Sequence, residues 1–93
     1  MIKNFFKKET NEIVLEIYSK ENCQLCDELK EVVEKVNKDI NFQIKEIDIT
    51  KDPEIFEKYK YDIPVVHING IIAFKHRITE SELRKKLKTR NLL

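Results

Sequence analysis

Hydrophobic residues follow two rhythms along this chain. Residues 13–18 form an apolar run broken only by Glu16, which predicts a buried strand. The polar stretch Ser19-Lys20-Glu21-Asn22 predicts a loop. Leu25, Leu29, Val32, Val33 and Val36 then recur at three- and four-residue spacing, which predicts an amphipathic helix over residues 24–38. Residues 42–49 return to alternation, with Phe42 and Ile44 on one face and Ile47 and Ile49 on the other. Strand, helix, strand in that order predicts a right-handed crossover with the two strands parallel.

The second half is equally patterned. Asp52 suits a helix cap and Pro53 the first helical position. Ile55, Phe56 and Tyr59 give that short helix its apolar side. A third strand is expected over residues 63–69, interrupted by Pro64, and a fourth over residues 71–74. Asn69-Gly70 between them tolerates the positive φ angles of a type I′ hairpin turn. Thr79-Glu80-Ser81-Glu82 forms a capping box, opening a last helix with Leu83 and Leu87 facing inward. The element order is β-α-β-α-β-β-α.

At 93 residues the chain predicts one domain, with a core over residues 13–87 and an N-terminal extension over residues 1–12. A 41% hydrophobic fraction suits a globular protein, and with one glycine and two prolines most of the chain should be regular structure. Eighteen basic residues against 17 acids leave a net charge of +1. That balance supplies no field for a nucleic-acid backbone or an anionic membrane, so neither is an expected partner. Lys7-Lys8 and Arg84-Lys85-Lys86 are read as solvated surface. Beyond Met1, the first twelve residues hold only Ile2, Phe5 and Phe6 as large apolar residues, too few for a leader sequence. No apolar run reaches membrane-spanning length. A cytoplasmic, reducing location and a monomeric state are therefore expected, and redox or metal chemistry is expected of the cysteines rather than structural stapling.

Cys23 and Cys26 are the only cysteines, placed after a strand and in the first turn of a helix. A helix N-terminus carries unpaired N–H groups and about half a positive charge. A thiolate there is stabilised, so Cys23 is expected to titrate low and act as the nucleophile. Cys26, one turn on, is expected to be more buried and to resolve a mixed disulfide at Cys23. Lys20 can add a second positive charge, whereas Asp27 and Glu28 complement the helix dipole and also oppose a nearby thiolate, two effects of opposite sign whose balance the sequence does not give. Two other readings of the pair stay open. Cys23 and Cys26 can form half of a zinc or iron–sulfur site, but a closed zinc site needs four ligands and only His67 and His76 remain as soft candidates within the chain. The pair can also be an inert dithiol.

The segment from Tyr18 to Cys26, the later Asp62-Ile63-Pro64-Val65-Val66 and the element order together resemble the glutaredoxin branch of the thioredoxin superfamily. The likeness is strongest to small prokaryotic glutaredoxin-like proteins with a Cys-x-Leu-Cys-Asp sequence, here residues 23–27. That resemblance implies an α/β thioredoxin fold, a four-stranded mixed sheet with helices on both faces. It implies thiol–disulfide exchange through a reversible Cys23–Cys26 disulfide, with no other cofactor and no metal. It implies a cis Ile63–Pro64 bond facing the dithiol, with the Ile63 backbone pairing with an extended substrate, and Lys20 as the lysine that meets a glutathione carboxylate. The implied partners are a protein or small-molecule disulfide and a reductase or thiol donor.

Several residues depart from the glutaredoxin pattern. Gln24-Leu25 stand where proline and an aromatic residue are usual, Asp62 stands where threonine is common, and residues 76–79 lack the usual Gly-Gly turn. These departures argue against efficient use of glutathione. A glutathione-dependent enzyme and a non-enzymatic module that binds a partner or metal through the dithiol remain the alternatives. Phe5 and Phe6 are expected to pack as tail residues, and Tyr59 and Tyr61 between the second helix and the third strand.

Overall fold

The computed structural model describes residues 13–91. The expected packing of Phe5 and Phe6, and the N-terminal extension as a whole, lie outside the described residues. Strands β1 (Val14–Ser19), β2 (Gln43–Asp48), β3 (Val65–Ile68) and β4 (Ile71–Lys75) form one sheet in the order β2-β1-β3-β4. Strands β1 and β2 pair in parallel, whereas β3 is antiparallel to both β1 and β4. Helices α1 (Gln24–Asn37), α2 (Pro53–Tyr59) and α3 (Glu80–Asn91) complete the order expected from the sequence, with a short 3₁₀ turn at Ile49–Lys51.

The period-two alternation of β1 decides the layering. Leu15 and Ile17 point to one face and are buried. They meet Leu29, Val33 and Val36 of α1, Val66 and Ile68 of β3, and Leu83 and Leu87 of α3 in the main core. The opposite face is covered by α2. There Tyr18 packs edge-on to Tyr59, their ring centroids 5.2 Å apart, and the Tyr59 hydroxyl lies 2.9 Å from His67 Nε2. The register that pairs Glu16 with His67 brings the Glu16 carboxylate within 3.8 Å of Nδ1. Burial holds the His67 pKa below its ordinary value; Glu16 opposes this and Lys58 reinforces it. Burial raises the Tyr18 pKa, with the Glu16 charge acting in the same direction.

The local signals act as expected at the caps and the hairpin. Asp52 accepts from the N–H groups of Glu54 and Ile55. Thr79 Oγ1 accepts from Glu82 N–H at 3.1 Å while Glu82 Oε1 accepts from Thr79 N–H at 3.0 Å, a reciprocal capping box. Asn69 and Gly70 both take positive φ, +51° and +84°. The Asn69 side chain also accepts from Val14 N–H at 2.8 Å, tying the turn to β1.

Two expectations need correction. The third strand starts at Val65 rather than at residue 63, because Pro64 has no N–H to give a ladder. Tyr61 does not pack between α2 and β3: it is 84% exposed, beyond the end of the helix that carries Tyr59 inward.

Candidate active site

Three loops converge at one end of the sheet. Tyr18, near the end of β1, pairs with Val65, the first residue of β3, and Val65 pairs in turn with Lys75, the last of β4. The loop leaving β1, the Ile63–Pro64 segment entering β3 and the loop leaving β4 therefore share an end. A hydrogen bond from His76 N–H to the Pro64 carbonyl, 2.7 Å long, ties the last two together. His76 itself has a positive φ of +69°.

The chain turns from β1 into α1 through Asn22, at φ +57°, a conformation that asparagine tolerates better than most residues. Cys23 then takes the N-cap position with extended backbone angles. Its Sγ accepts from Cys26 N–H at 3.2 Å, doing with sulfur what a serine or aspartate oxygen does at an ordinary cap. Cys23 and Cys26 are joined in a disulfide, with Cα atoms 5.2 Å apart. The two residues differ in access: Cys26 is fully buried, and Cys23 is half-buried. Any molecule arriving from solvent meets Cys23 first.

The other expected site residues are placed as follows. The Ile63–Pro64 peptide is cis. Pro64 is buried, Ile63 is half-buried, and among the described residues the Ile63 backbone has no backbone hydrogen-bond partner. Lys20 is exposed and lines a polar cavity of about 450 Å³ on the β1–β2 side of the dithiol, with no ion pair among the described residues. Asp62 is linked to β4 by Lys75 Nζ, which donates to its carboxylate at 3.4 Å. His67 belongs to the α2 face and His76 to an exposed loop, and among the described residues no three His, Cys, Asp or Glu side chains cluster as metal ligands do.

Sequence reasoning missed two features beside the dithiol. Lys30, one turn after Cys26, pairs with Glu46 on β2 and approaches Asp27 at 3.9 Å. Ser19, buried at the end of β1, donates to the same Glu46 carboxylate at 3.4 Å. The i, i+4 spacing of Cys26 and Lys30 is the only sequence signal for this network, and the strand register was needed to add Glu46. The second feature is an apolar groove between Leu25 and Ile78, whose walls lie 53 positions apart in the chain.

This geometry accompanies a family match over most of the chain. Residues 14–88 match the family described as Glutaredoxin-like domain (DUF836). The chain belongs to that family. A glutaredoxin-like protein of Dictyostelium discoideum is 38% identical over 94 residues, covering 95% of this chain and 83% of its own. Solved structures share the thioredoxin fold at low identity. Chloroplastic thioredoxin z superposes with a TM-score of 0.73 at 11% identity, covering 99% of this chain and 89% of its own. Target protein XcR50 of X. campestris gives 0.71 at 20%, covering 81% and 96%. A mutant thioredoxin of Halobacterium salinarum gives 0.68 at 17%, covering 100% and 87%. A glutaredoxin-like thioredoxin fold with a Cys-x-x-Cys disulfide supports a redox role. No helix among the described residues is long and apolar enough to cross a membrane.

Proposed function

We propose that the protein is a thiol–disulfide oxidoreductase in which Cys23 is the attacking sulfur and Cys26 the resolving one. The observation that carries this reading is the asymmetry of the pair, a half-buried Cys23 capping α1 and a fully buried Cys26 within reach of it. In the reduced protein the Cys23 thiolate attacks a substrate disulfide, and one substrate sulfur leaves as a thiolate that takes up a proton. Cys26 loses its proton and attacks Cys23 Sγ, releasing the second substrate thiol and closing the Cys23–Cys26 disulfide. Two electrons and two protons pass from the dithiol to the substrate, and an external thiol or reductase returns them. The helix N-terminus lowers the energy of negative charge on Cys23, as attacker and as leaving group alike. The Ile63 N–H and C=O, without a backbone partner among the described residues, suit an extended peptide laid beside the dithiol.

The test is turnover of a disulfide-bonded protein with either a thioredoxin reductase system or glutathione as donor. Cys23→Ser should abolish turnover, and Cys26→Ser should accumulate a covalent adduct visible by mass. Absence of turnover with both donors would leave a dithiol that binds without exchanging. Glutathione itself is expected to be a poor donor, because Glu28, Glu82 and Asp62 place acids around a site that would have to hold its two carboxylates. Lys75 offsets Asp62 and Arg77 offsets one of the two glutamates, so the acids still outnumber the cations beside them. Efficient, saturable deglutathionylation of a small mixed disulfide with glutathione alone would make the protein a glutathione-dependent enzyme instead. The same reading has the protein working as a monomer in a reducing compartment.

A further inference from the structure

Beside the dithiol lies a groove of about 240 Å³ that the sulfur chemistry does not use. Its floor is apolar, built from Leu25, Leu29 and Val32 of α1 and Ile78 of the loop between β4 and α3. Leu29 and Ile78 are buried, whereas Leu25 and Val32 keep part of their surface open. Leu25, which stands between the two cysteines in the chain, forms one end of the floor, although neither cysteine lines the groove. Ligand sites for drug-sized molecules span about 300–1,000 Å³, and this smaller space matches one or two side chains.

The rim is charged. Glu28 and Glu82 are exposed along it, and Arg77 stands beside Ile78. Each glutamate has a single described hydrogen bond, Glu28 from the Gln24 amide and Glu82 from Thr79 N–H, and each keeps a second carboxylate oxygen for an incoming donor. Two carboxylates against the Arg77 guanidinium leave the rim net negative, with the His76 imidazole, which also lines it, neutral at pH 7. An apolar floor with an acidic rim complements an apolar side chain in a neutral or basic segment, and disfavours an anionic one.

We infer that this groove is a specificity pocket for polypeptide disulfides, taking an apolar side chain next to the reacting cysteine from a segment that also carries a basic residue. The inference rests on the exchange reading above and names the substrate class for it. The apolar side chain docks against Leu25 and Ile78, and the basic one meets Glu28 or Glu82. The partner's sulfur is thereby held at Cys23.

Four short peptides test it, each with one cysteine activated as a mixed disulfide with thionitrobenzoate. The cysteine is followed by leucine or serine and preceded by lysine or glutamate. With reduced Cys26→Ser protein, Cys23 forms a disulfide bond to the peptide sulfur and thionitrobenzoate leaves as a coloured thiolate. Cys23 is oxidised, the leaving thiol is reduced, and the Cys23 proton passes to solvent. Rates are divided by those of the same peptides with 2-mercaptoethanol, which removes their intrinsic reactivity. Leucine should exceed serine by about tenfold, the scale of a largely buried aliphatic side chain. Lysine should exceed glutamate by about threefold, a factor that shrinks with added salt. Leu25→Ser should erase the first preference and Glu28→Gln reduce the second. Val32→Ser provides a second change to the floor, and a far-UV spectrum identifies any variant that has not folded. Equal rates for all four peptides, or a leucine preference unchanged by both floor variants, would overturn this inference while leaving exchange intact. No reaction with any peptide would overturn the exchange reading and this one together.

Discussion

Replacing Thr79 by alanine removes one half of the capping box that fixes the start of α3. Thr79 Oγ1 loses its bond to Glu82 N–H, while Thr79 keeps the backbone N–H that donates to Glu82 Oε1. Thr79 is exposed, so no cavity forms and water can reach the freed N–H. The cost is therefore that of a lost N-cap alone, about 1 kcal/mol within a range of roughly 0.5–2. In a domain of this size that lowers the melting temperature by about 4–8 °C. Urea unfolding of the oxidised protein, followed by far-UV circular dichroism, should show a lower midpoint at unchanged slope, and Thr79→Ser should restore most of the loss. Glu82→Ala removes the reciprocal bond and an acid in the first helical turn. If the two bonds act as a unit, Thr79→Ala combined with Glu82→Ala will cost less than the two single changes summed. A Thr79→Ala loss under about 0.3 kcal/mol, well below the smallest cap effects, would mean that the box does not hold the helix start.

Two further outcomes follow from the packing. Leu83→Ala should destabilise by about 2–5 kcal/mol, because a fully buried side chain of the main core leaves a cavity that the sheet cannot close; a loss under about 1 kcal/mol in urea unfolding would mean that α3 is not clamped on the core. The depressed pKa of His67 means the unfolded chain binds this proton more tightly than the folded one. Its contribution is thus level above the ordinary histidine value of about 6.5 and is lost as pH falls from there towards the folded value. Unfolding free energies measured from pH 7 to 5 should decline in the wild type and decline less in His67→Gln; parallel curves would remove His67 from the account.

The fold was legible wherever a local signal acts locally. The spacing of Leu29, Val33 and Val36 marks the buried stripe of α1, and Asp52-Pro53, Asn69-Gly70 and Thr79–Glu82 mark boundaries, because each depends on bonds between near neighbours. The dithiol was legible for the same reason, since a strand, a polar loop and an amphipathic helix put Cys23 at a helix start. What stayed hidden depends on register. His67 reads as a strand histidine with no assigned partner until the antiparallel pairing sets it opposite Glu16, 51 positions away in the chain. The Lys30–Glu46 pair needs the parallel register of β1 and β2, and the groove needs α1 and the β4–α3 loop to meet. Tyr61 was misplaced because the pattern shows that a tyrosine is apolar, not where its helix ends.

The unequal access of the two sulfurs also fixes how the oxidised protein is reduced. An incoming thiolate must approach along the S–S axis at the sulfur that it attacks, with the other sulfur leaving. Cys26, in the first turn of α1, has no exposed surface, and an approach to it would require α1 to open. Cys23 is reachable in the folded state, and attack there sends the negative charge to Cys26 as leaving group. The first covalent adduct should therefore form at Cys23, whichever small thiol is used. Brief exposure of the oxidised protein to 2-mercaptoethanol, an acid quench, alkylation of the free thiol and peptide mapping will locate it. The expected pattern is 2-mercaptoethanol on Cys23 and the alkyl group on Cys26. An even split between the two cysteines would show that α1 opens as fast as the thiol reacts, and the asymmetry on which the exchange reading rests would then carry no chemical consequence.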